Sequence, residues 1–364
     1  MRLRLEKRLE PSRLMVVLTP IASVLLTMLI GVIVFDALGV NGQRAVLDIF
    51  ITPFLASYKW QDVATKAAPL VIIALGLSIG NRANVWNIGA EGQYVIGALC
   101  AAGVGMAAGG NGGFVIVTLM VMAGVVGGAG WAAVPAVLRT RLSVNEILSS
   151  LMLTYVALQV LGYLVSGPWK DPNGRNFPAT APLAPDQTLP ILIPGTTIHL
   201  GILFALILPF IFWAIMARSV FGFQIRVVGS APHAARHGGF DSRQTIWAAM
   251  LIGGGMAGLA GALELTGALR KIDLGFPSGY GFTAIIVSFL GRLHPLGSLI
   301  AGIMLAVTSV GGQLAKISVK IPDSTPGIFQ AMMLFFILAS DIFVRYRVRI
   351  VRTQKVAPAT SAGE

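Results

Sequence analysis

Apolar residues run along the chain in long blocks separated by short polar breaks. An α-helix of about 20 residues crosses the roughly 30 Å hydrocarbon layer of a bilayer. Blocks of this kind fall at 14–38, 67–80, 92–108, 114–137, 144–166, 200–217, 244–266, 281–290, 296–312 and 326–344. They predict an all-α polytopic membrane protein with about ten transmembrane helices. The blocks at 67–80 and 281–290 are too short to cross alone, and each runs into a glycine-rich polar break, 81–93 in one half and 291–297 in the other. Irregular backbone at membrane depth is tolerated only where protein or a water-filled cavity covers it. Such breaks in both halves predict short or broken helices, an inverted-repeat organisation and a transport path.

Composition supports the same reading. Of 364 residues, 55% are hydrophobic and only 12% charged, against roughly 25% charged in a soluble domain. A soluble protein of this size has too few interior positions for so much apolar side chain. Forty-three glycines without a collagen period suit helices packed closely in lipid. The formal net charge of +12 reads as loop lysine and arginine of the positive-inside kind, and no nucleic-acid partner is expected. Cys100 is the one cysteine, which excludes an intrachain disulfide and a cysteine-based metal site.

Most of the 27 lysines and arginines collect on one side if the ten spans are threaded with the N-terminus inside. That places both termini in the cytoplasm of a multi-pass protein of the cell (inner) membrane. The expected organisation is a basic cytoplasmic N-terminus (1–13), a transmembrane domain (14–344) and a cytoplasmic tail (345–364). The first apolar block is longer than a signal-peptide core and is expected to be a retained span. The proline-rich loop 167–199 should be an irregular, extended outer loop, and the tail after Val356 a disordered one.

No catalytic constellation stands out. No lysine follows a glycine, so the chain offers no phosphate-binding G-x-x-x-x-G-K-[ST] loop for ATP. His233 and His237 are four residues apart, but no third ligand of suitable spacing accompanies them. His199 and His294 fall in loops or interfaces. The polar segment 84–93 is more informative: it sets amides, a carboxylate and an indole between apolar blocks, at a cost of several kcal/mol unless partners satisfy them. Asn84, Trp86, Asn87, Glu91 and Gln93 are candidates to line a solute path, with Trp86 stacking on a ring. Equally, these groups satisfy one another and the broken helix ends. On the inner loop 218–243, Ser230 is placed to cap a short helix with Pro232 in its first turn and Gly238 or Gly239 at its end. Such a helix suits docking into a groove of another protein.

The segment Asn87-Ile88-Gly89-Ala90-Glu91-Gly92-Gln93 resembles the permease subunits of bacterial ATP-binding cassette importers for simple sugars and nucleosides, the group that includes ribose and branched-chain amino-acid permeases. Ser143 to Ile147, the loop Gly229 to Gly239, the glycine run 253–262 and the stretches from Gly281 and from Gly291 to Gly297 carry the likeness further. Gly167 to Pro172 looks like the nucleoside branch. The resemblance implies a permease of about ten helices that pairs with a second, usually non-identical permease. It also implies ATP-binding cassette subunits, which use ATP and magnesium, below the membrane, and a substrate-binding lipoprotein outside. This chain itself would need no cofactor. Gly229, Ala234, Ala235 and Gly239 then mark the ATPase-coupling helix, with His233 standing where the better-known loops carry a glutamate. The rival reading is an ion-gradient-driven secondary transporter using Glu91 and Glu264. A membrane-embedded enzyme lacks any nucleophile-and-base set here.

Overall fold

In lipid, every backbone N–H and C=O must find its partner within the segment or in neighbouring protein, so long apolar blocks become helices. The computed structural model describes residues 2–7, 13–174, 176–322 and 324–351. Its helices are α1 (Arg13–Ala37), α2 (Gly42–Phe50), α3 (Thr52–Leu55), α4 (Trp60–Arg82), α5 (Ala90–Ala107), α6 (Phe114–Leu142) and α7 (Glu146–Ser166). They continue as α8 (Leu200–Arg218), α9 (Val220–Ser230), α10 (Pro232–His237), α11 (Ser242–Glu264), α12 (Tyr280–Leu290), α13 (Pro295–Val319) and α14 (Thr325–Arg345). Seven of these, α1, α4, α6, α7, α8, α11 and α13, are long and apolar enough to cross a membrane. With α5, whose first turn is polar, and the shorter apolar α12 and α14, ten helices match the ten apolar blocks. The chain is a multi-pass helical membrane protein. A two-stranded antiparallel ribbon, β1 (Arg2–Lys7) with β2 (Tyr346–Val351), joins the two ends of the described chain. The tail after Val356 lies outside the described residues.

The centre is built from α4, α5, α6 and α11. Every residue of α4 from Ala67 to Gly80 is buried, as befits a helix that is apolar all round. α5, α6 and α11 meet through glycine. Gly258 of α11 lies against Gly124 and Gly128 of α6 and Gly97 of α5, and Gly254 packs on Gly128 and Ala132. Without side chains at these points the backbones approach to van der Waals contact, where dispersion rather than hydrophobicity holds membrane helices together. Around this core, α1, α7 and α8 turn apolar faces outward, with Leu25, Met152 and Phe210 exposed. Such a band is the surface for lipid or another membrane subunit.

The structure corrects three expectations. First, 67–80 is not a short broken block: α4 runs uninterrupted from Trp60 to Arg82, past Pro69. Asp62, Thr65 and Lys66 broke the apolar pattern because they face a cavity, not because the helix ends. Second, the stretch 39–59, to which the apolar blocks assigned no element, holds α2 and α3. Asn41 caps α2 by accepting from the Arg44 N–H at 2.9 Å, and Ala45, Val46, Ile49 and Phe50 are buried. Third, Ser230 does not cap α10. Its hydroxyl donates back to the Arg226 carbonyl at 2.8 Å, Ala231 takes the cap position without a side-chain bond, and Pro232 enters the first turn as expected. α12, by contrast, is as short as its block suggested.

The loop 167–199 is irregular but ordered. Gln187 is buried and donates to the carbonyls of Gly105 and Asn111, both at 2.9 Å. The loop also donates from the Thr180 and Leu183 amides to the Ile272 and Arg270 carbonyls. It therefore forms a lid over the ends of α5 and α11.

Candidate functional site

Between α4 and α5 the chain leaves helical geometry for seven residues, and the polar groups placed there satisfy one another. The Asn87 and Gln93 side-chain amides form a mutual pair: Asn87 donates to Gln93 at 2.8 Å and Gln93 donates to Asn87 at 3.0 Å. Asn87 Oδ1 also accepts from the Gly89 N–H at 3.1 Å. Glu91 is 2% exposed. Its two carboxylate oxygens accept the amide protons of Gly279 (2.9 Å) and Gly281 (2.5 Å) at the start of α12. A carboxylate at a helix N-terminus bonds orphan N–H groups and meets the positive end of the helix dipole. Trp86 stacks on Phe289 near the other end of α12, with ring centroids 5.5 Å apart, and its indole N–H points to Asn84 Oδ1 at 3.4 Å. Asn84 itself is exposed, with positive φ.

The structure thus brings Trp86, Asn87, Glu91 and Gln93 together as a joint between α4, α5 and α12, with Asn84 on its surface. The first polar break read from the sequence meets both ends of α12, at Gly279 and Gly281 and at Phe289. Its buried hydrogen bonds are closed within the protein.

A large polar space lies elsewhere, beneath the 167–199 lid. A cavity of about 860 Å³ is lined by Asp62, Thr65 and Lys66 of α4, Glu264 and Arg270 at the end of α11, Tyr280 of α12, and Ser309 and Gln313 of α13. Lys66 and Glu264 share this chamber, yet neither makes an ion pair or hydrogen bond with any described residue. Tyr94 stacks on Phe276 (5.1 Å) and meets Tyr280 edge-on (5.9 Å), so Tyr280 links the chamber to a buried aromatic cluster. The buried Tyr94 hydroxyl has no hydrogen-bond partner among the described residues. Donors, acceptors and an aromatic ring therefore face one water-accessible space. Sequence reading had Glu264 only as a rival's ion site and missed Lys66 and Gln313. The spacing 62, 65, 66 and the pair 309, 313 place polar groups on single helix faces, and that signal was present.

His199 sits behind the chamber wall, against its lining residue Gly267. It caps α8, Nδ1 accepting from the Gly201 N–H at 3.2 Å, and its ring lies against Gly267 in the π-helical turn Leu265–Leu269 that ends α11. Burial pushes the His199 imidazole down to about 4.

At the opposite end, α9 and α10 form a compact hairpin. Gly229 packs directly on the Arg82 carbonyl, where α4 ends. Ala235 is fully buried and donates its amide proton to the Ala231 carbonyl, while Ala234, His233 and His237 are exposed. Gly239, with φ +80°, turns the chain away from the short helix. The four residues read as a coupling element thus divide: Gly229 and Ala235 anchor the hairpin, and Ala234 and Gly239 face outward. A continuous line of contacts runs from this hairpin through Arg82 and the 83–89 turn to Glu91, α12 and Tyr280 at the chamber.

A glycine-packed bundle of helices long enough to cross a membrane, jointed between α4, α5 and α12 and enclosing a polar chamber at one end, has the architecture of a membrane permease. Residues 60–338 match the family described as branched-chain amino acid transport system / permease component, and the chain belongs to that family. It is 35% identical over 362 residues to the glucose ABC transporter permease protein of Haloferax volcanii, covering 95% of this chain and 93% of the relative. It is 28% identical over 339 residues to the guanosine ABC transporter permease protein of Bacillus subtilis, covering 92% and 96%. A nucleoside ABC transporter permease protein of Lactococcus lactis is 24% identical over 334 residues, covering 90% and 92%. No solved structure matches the chain.

Proposed function

We propose that this chain is the conduit of an ATP-driven importer for a hydroxyl-rich solute, a simple sugar or nucleoside, and that the chamber under the 167–199 lid receives it. The observation that carries this reading is the pair Lys66 and Glu264, which line one cavity without bonding to each other or to another described residue. A sugar ring offers adjacent hydroxyls that both donate and accept, and a carboxylate and an ammonium whose hydrogen-bonding positions are taken by no described residue match that pattern. Tyr280 supplies a ring face for an apolar sugar face or a base. The relatives' names, glucose and guanosine, share a polyhydroxyl ring.

In this reading the lid faces outward, and a substrate-binding lipoprotein delivers solute there. Both termini are cytoplasmic, in the cell membrane. ATP-binding cassette subunits, with ATP and magnesium, dock on the α9–α10 hairpin, and a second, related permease completes the path. Closure of the ATPases moves the hairpin as a rigid body. Gly229 passes the shift to Arg82 and the Trp86–Gln93 joint, and Glu91 passes it to α12, which tilts Tyr280 at the chamber.

Uptake of a panel of labelled sugars and nucleosides, in cells lacking this chain and complemented with it, tests the reading. Glu264→Gln and Lys66→Gln should each lower uptake of the transported compound at least about tenfold, the loss of a charged hydrogen bond, with normal amounts of complex in the membrane. Unchanged uptake in both variants contradicts it.

A further inference from the structure

A second cavity, of about 650 Å³, opens at the end of the bundle where α4 and α8 finish. Two guanidinium groups, Arg82 and Arg226, line it together with His294, and no carboxylate does among the described residues. Arg226 is held in place by a 3.0 Å bond from one Nη to the Met216 carbonyl. Arg82, half-buried, makes no hydrogen bond or ion pair with any described residue, and the neighbouring charge it meets is Arg226. Two like charges held side by side without a counter-ion are costly unless an anion joins them. Trp213, Met216 and Ala217 from the last turns of α8 form one wall, and Asn81, Gly229, Ser230, Leu293 and Pro295 complete the lining. The same helix exposes Phe210, Ile211 and Ile215, so the cavity opens at the foot of an apolar outer face, with a tryptophan at its edge. A tryptophan at the end of an apolar helix marks the boundary between hydrocarbon and headgroup.

From this juxtaposition we propose that the Arg82–Arg226 cavity holds the phosphate of an anionic membrane phospholipid, its acyl chains lying along α8 beside Trp213. Basic pockets between helices at the membrane boundary recognise anionic headgroups, and paired guanidinium forks match a phosphate diester. The site is separate from the solute chamber. Because Gly229 rests on the Arg82 carbonyl, the bound headgroup sits beside the contact through which the α9–α10 hairpin meets α4.

The test uses the full chain purified with its partner subunits, exchanged into micelles containing phosphatidylglycerol and phosphatidylcholine, with the retained lipid measured by mass spectrometry after extraction. The wild-type complex should retain phosphatidylglycerol preferentially. Arg82→Gln should lower that preference about fivefold, and Arg82→Gln with Arg226→Gln about thirtyfold, from about 1 kcal/mol for each arginine. Arg82→Lys should restore most of the single loss, and a melting temperature close to wild type shows that the variants are folded. Equal retention by wild type and folded variants overturns the proposal. So does displacement of phosphatidylglycerol by millimolar inorganic phosphate alone, which assigns the cavity to a free anion. A preference seen only after the ATPase subunits are removed also overturns it, since the cavity is then covered by protein.

Discussion

Glu91 and Gly281, 190 residues apart, are joined by a 2.5 Å hydrogen bond from the glycine amide to the carboxylate, and the neighbouring oxygen takes the Gly279 amide. The bond ties the polar break after α4 to the start of α12. Glu91→Ala leaves the buried Gly281 N–H and the part-buried Gly279 N–H without their acceptor and should lower stability by about 2–4 kcal/mol. Glu91→Gln, which keeps one acceptor, should fall between. Gly281→Ala should be as damaging as Glu91→Ala, because a methyl group there meets the Glu91 backbone. Thermal unfolding of the purified protein checks all three, and a Glu91→Ala melting temperature equal to wild type refutes the joint.

Gly258→Ala should lose about 1–3 kcal/mol by overpacking, since the added methyl meets the backbone of Gly124 and Gly128. Gly130→Ala, on the same α6 but facing open space, should change stability little. Size-exclusion profiles and melting temperatures of the two proteins, compared side by side, decide this.

These two cases show what was legible in the sequence. The glycine run and the polar 84–93 segment announce themselves locally, and the helices that contain them were read close to their true ends. The partner of Glu91 was not legible, because nothing near residue 91 says that a backbone 190 residues away will need an acceptor. The upper end of α4 was misread for a physical reason: Asp62, Thr65 and Lys66 look like a loop when every membrane helix is expected to be apolar, but a helix beside an aqueous chamber carries polar groups on that face. α2 was missed because it is short and amphipathic, although Asn41 followed by apolar residues at 45, 46, 49 and 50 is a helix signature.

His199 makes stability depend on pH. Its folded-state value near 4 lies below the unfolded value of about 6.5. Between these values the unfolded chain binds more protons, so stability rises with pH and is lost as pH falls from about 6.5 towards 4. At pH 5.5 this single group should cost about 1.4 kcal/mol. His199→Asn, which keeps a capping oxygen for the Gly201 amide, should flatten that part of the curve. Melting temperatures between pH 5 and 8 measure it, and parallel curves for both proteins count against the assignment.

Ala234 and Ala235 should respond differently to the same change. Ala234→Asp puts a charge on the exposed face of α10 and should block co-purification with the ATPase subunit while the permease still folds and inserts. Ala235→Asp buries a charge at a fully enclosed position and should unfold the hairpin itself. Co-purification combined with limited proteolysis of the 218–243 loop separates the two outcomes; intact ATPase binding by Ala234→Asp contradicts docking on this face.

The central claim is that the motive force comes from subunits other than this chain. Its most direct measurement is solute accumulation in proteoliposomes holding the complete complex and the substrate-binding protein. Accumulation should require ATP and persist when ion gradients are collapsed. Vesicles containing this permease alone, accumulating solute on a sodium or proton gradient without ATP, would contradict the account.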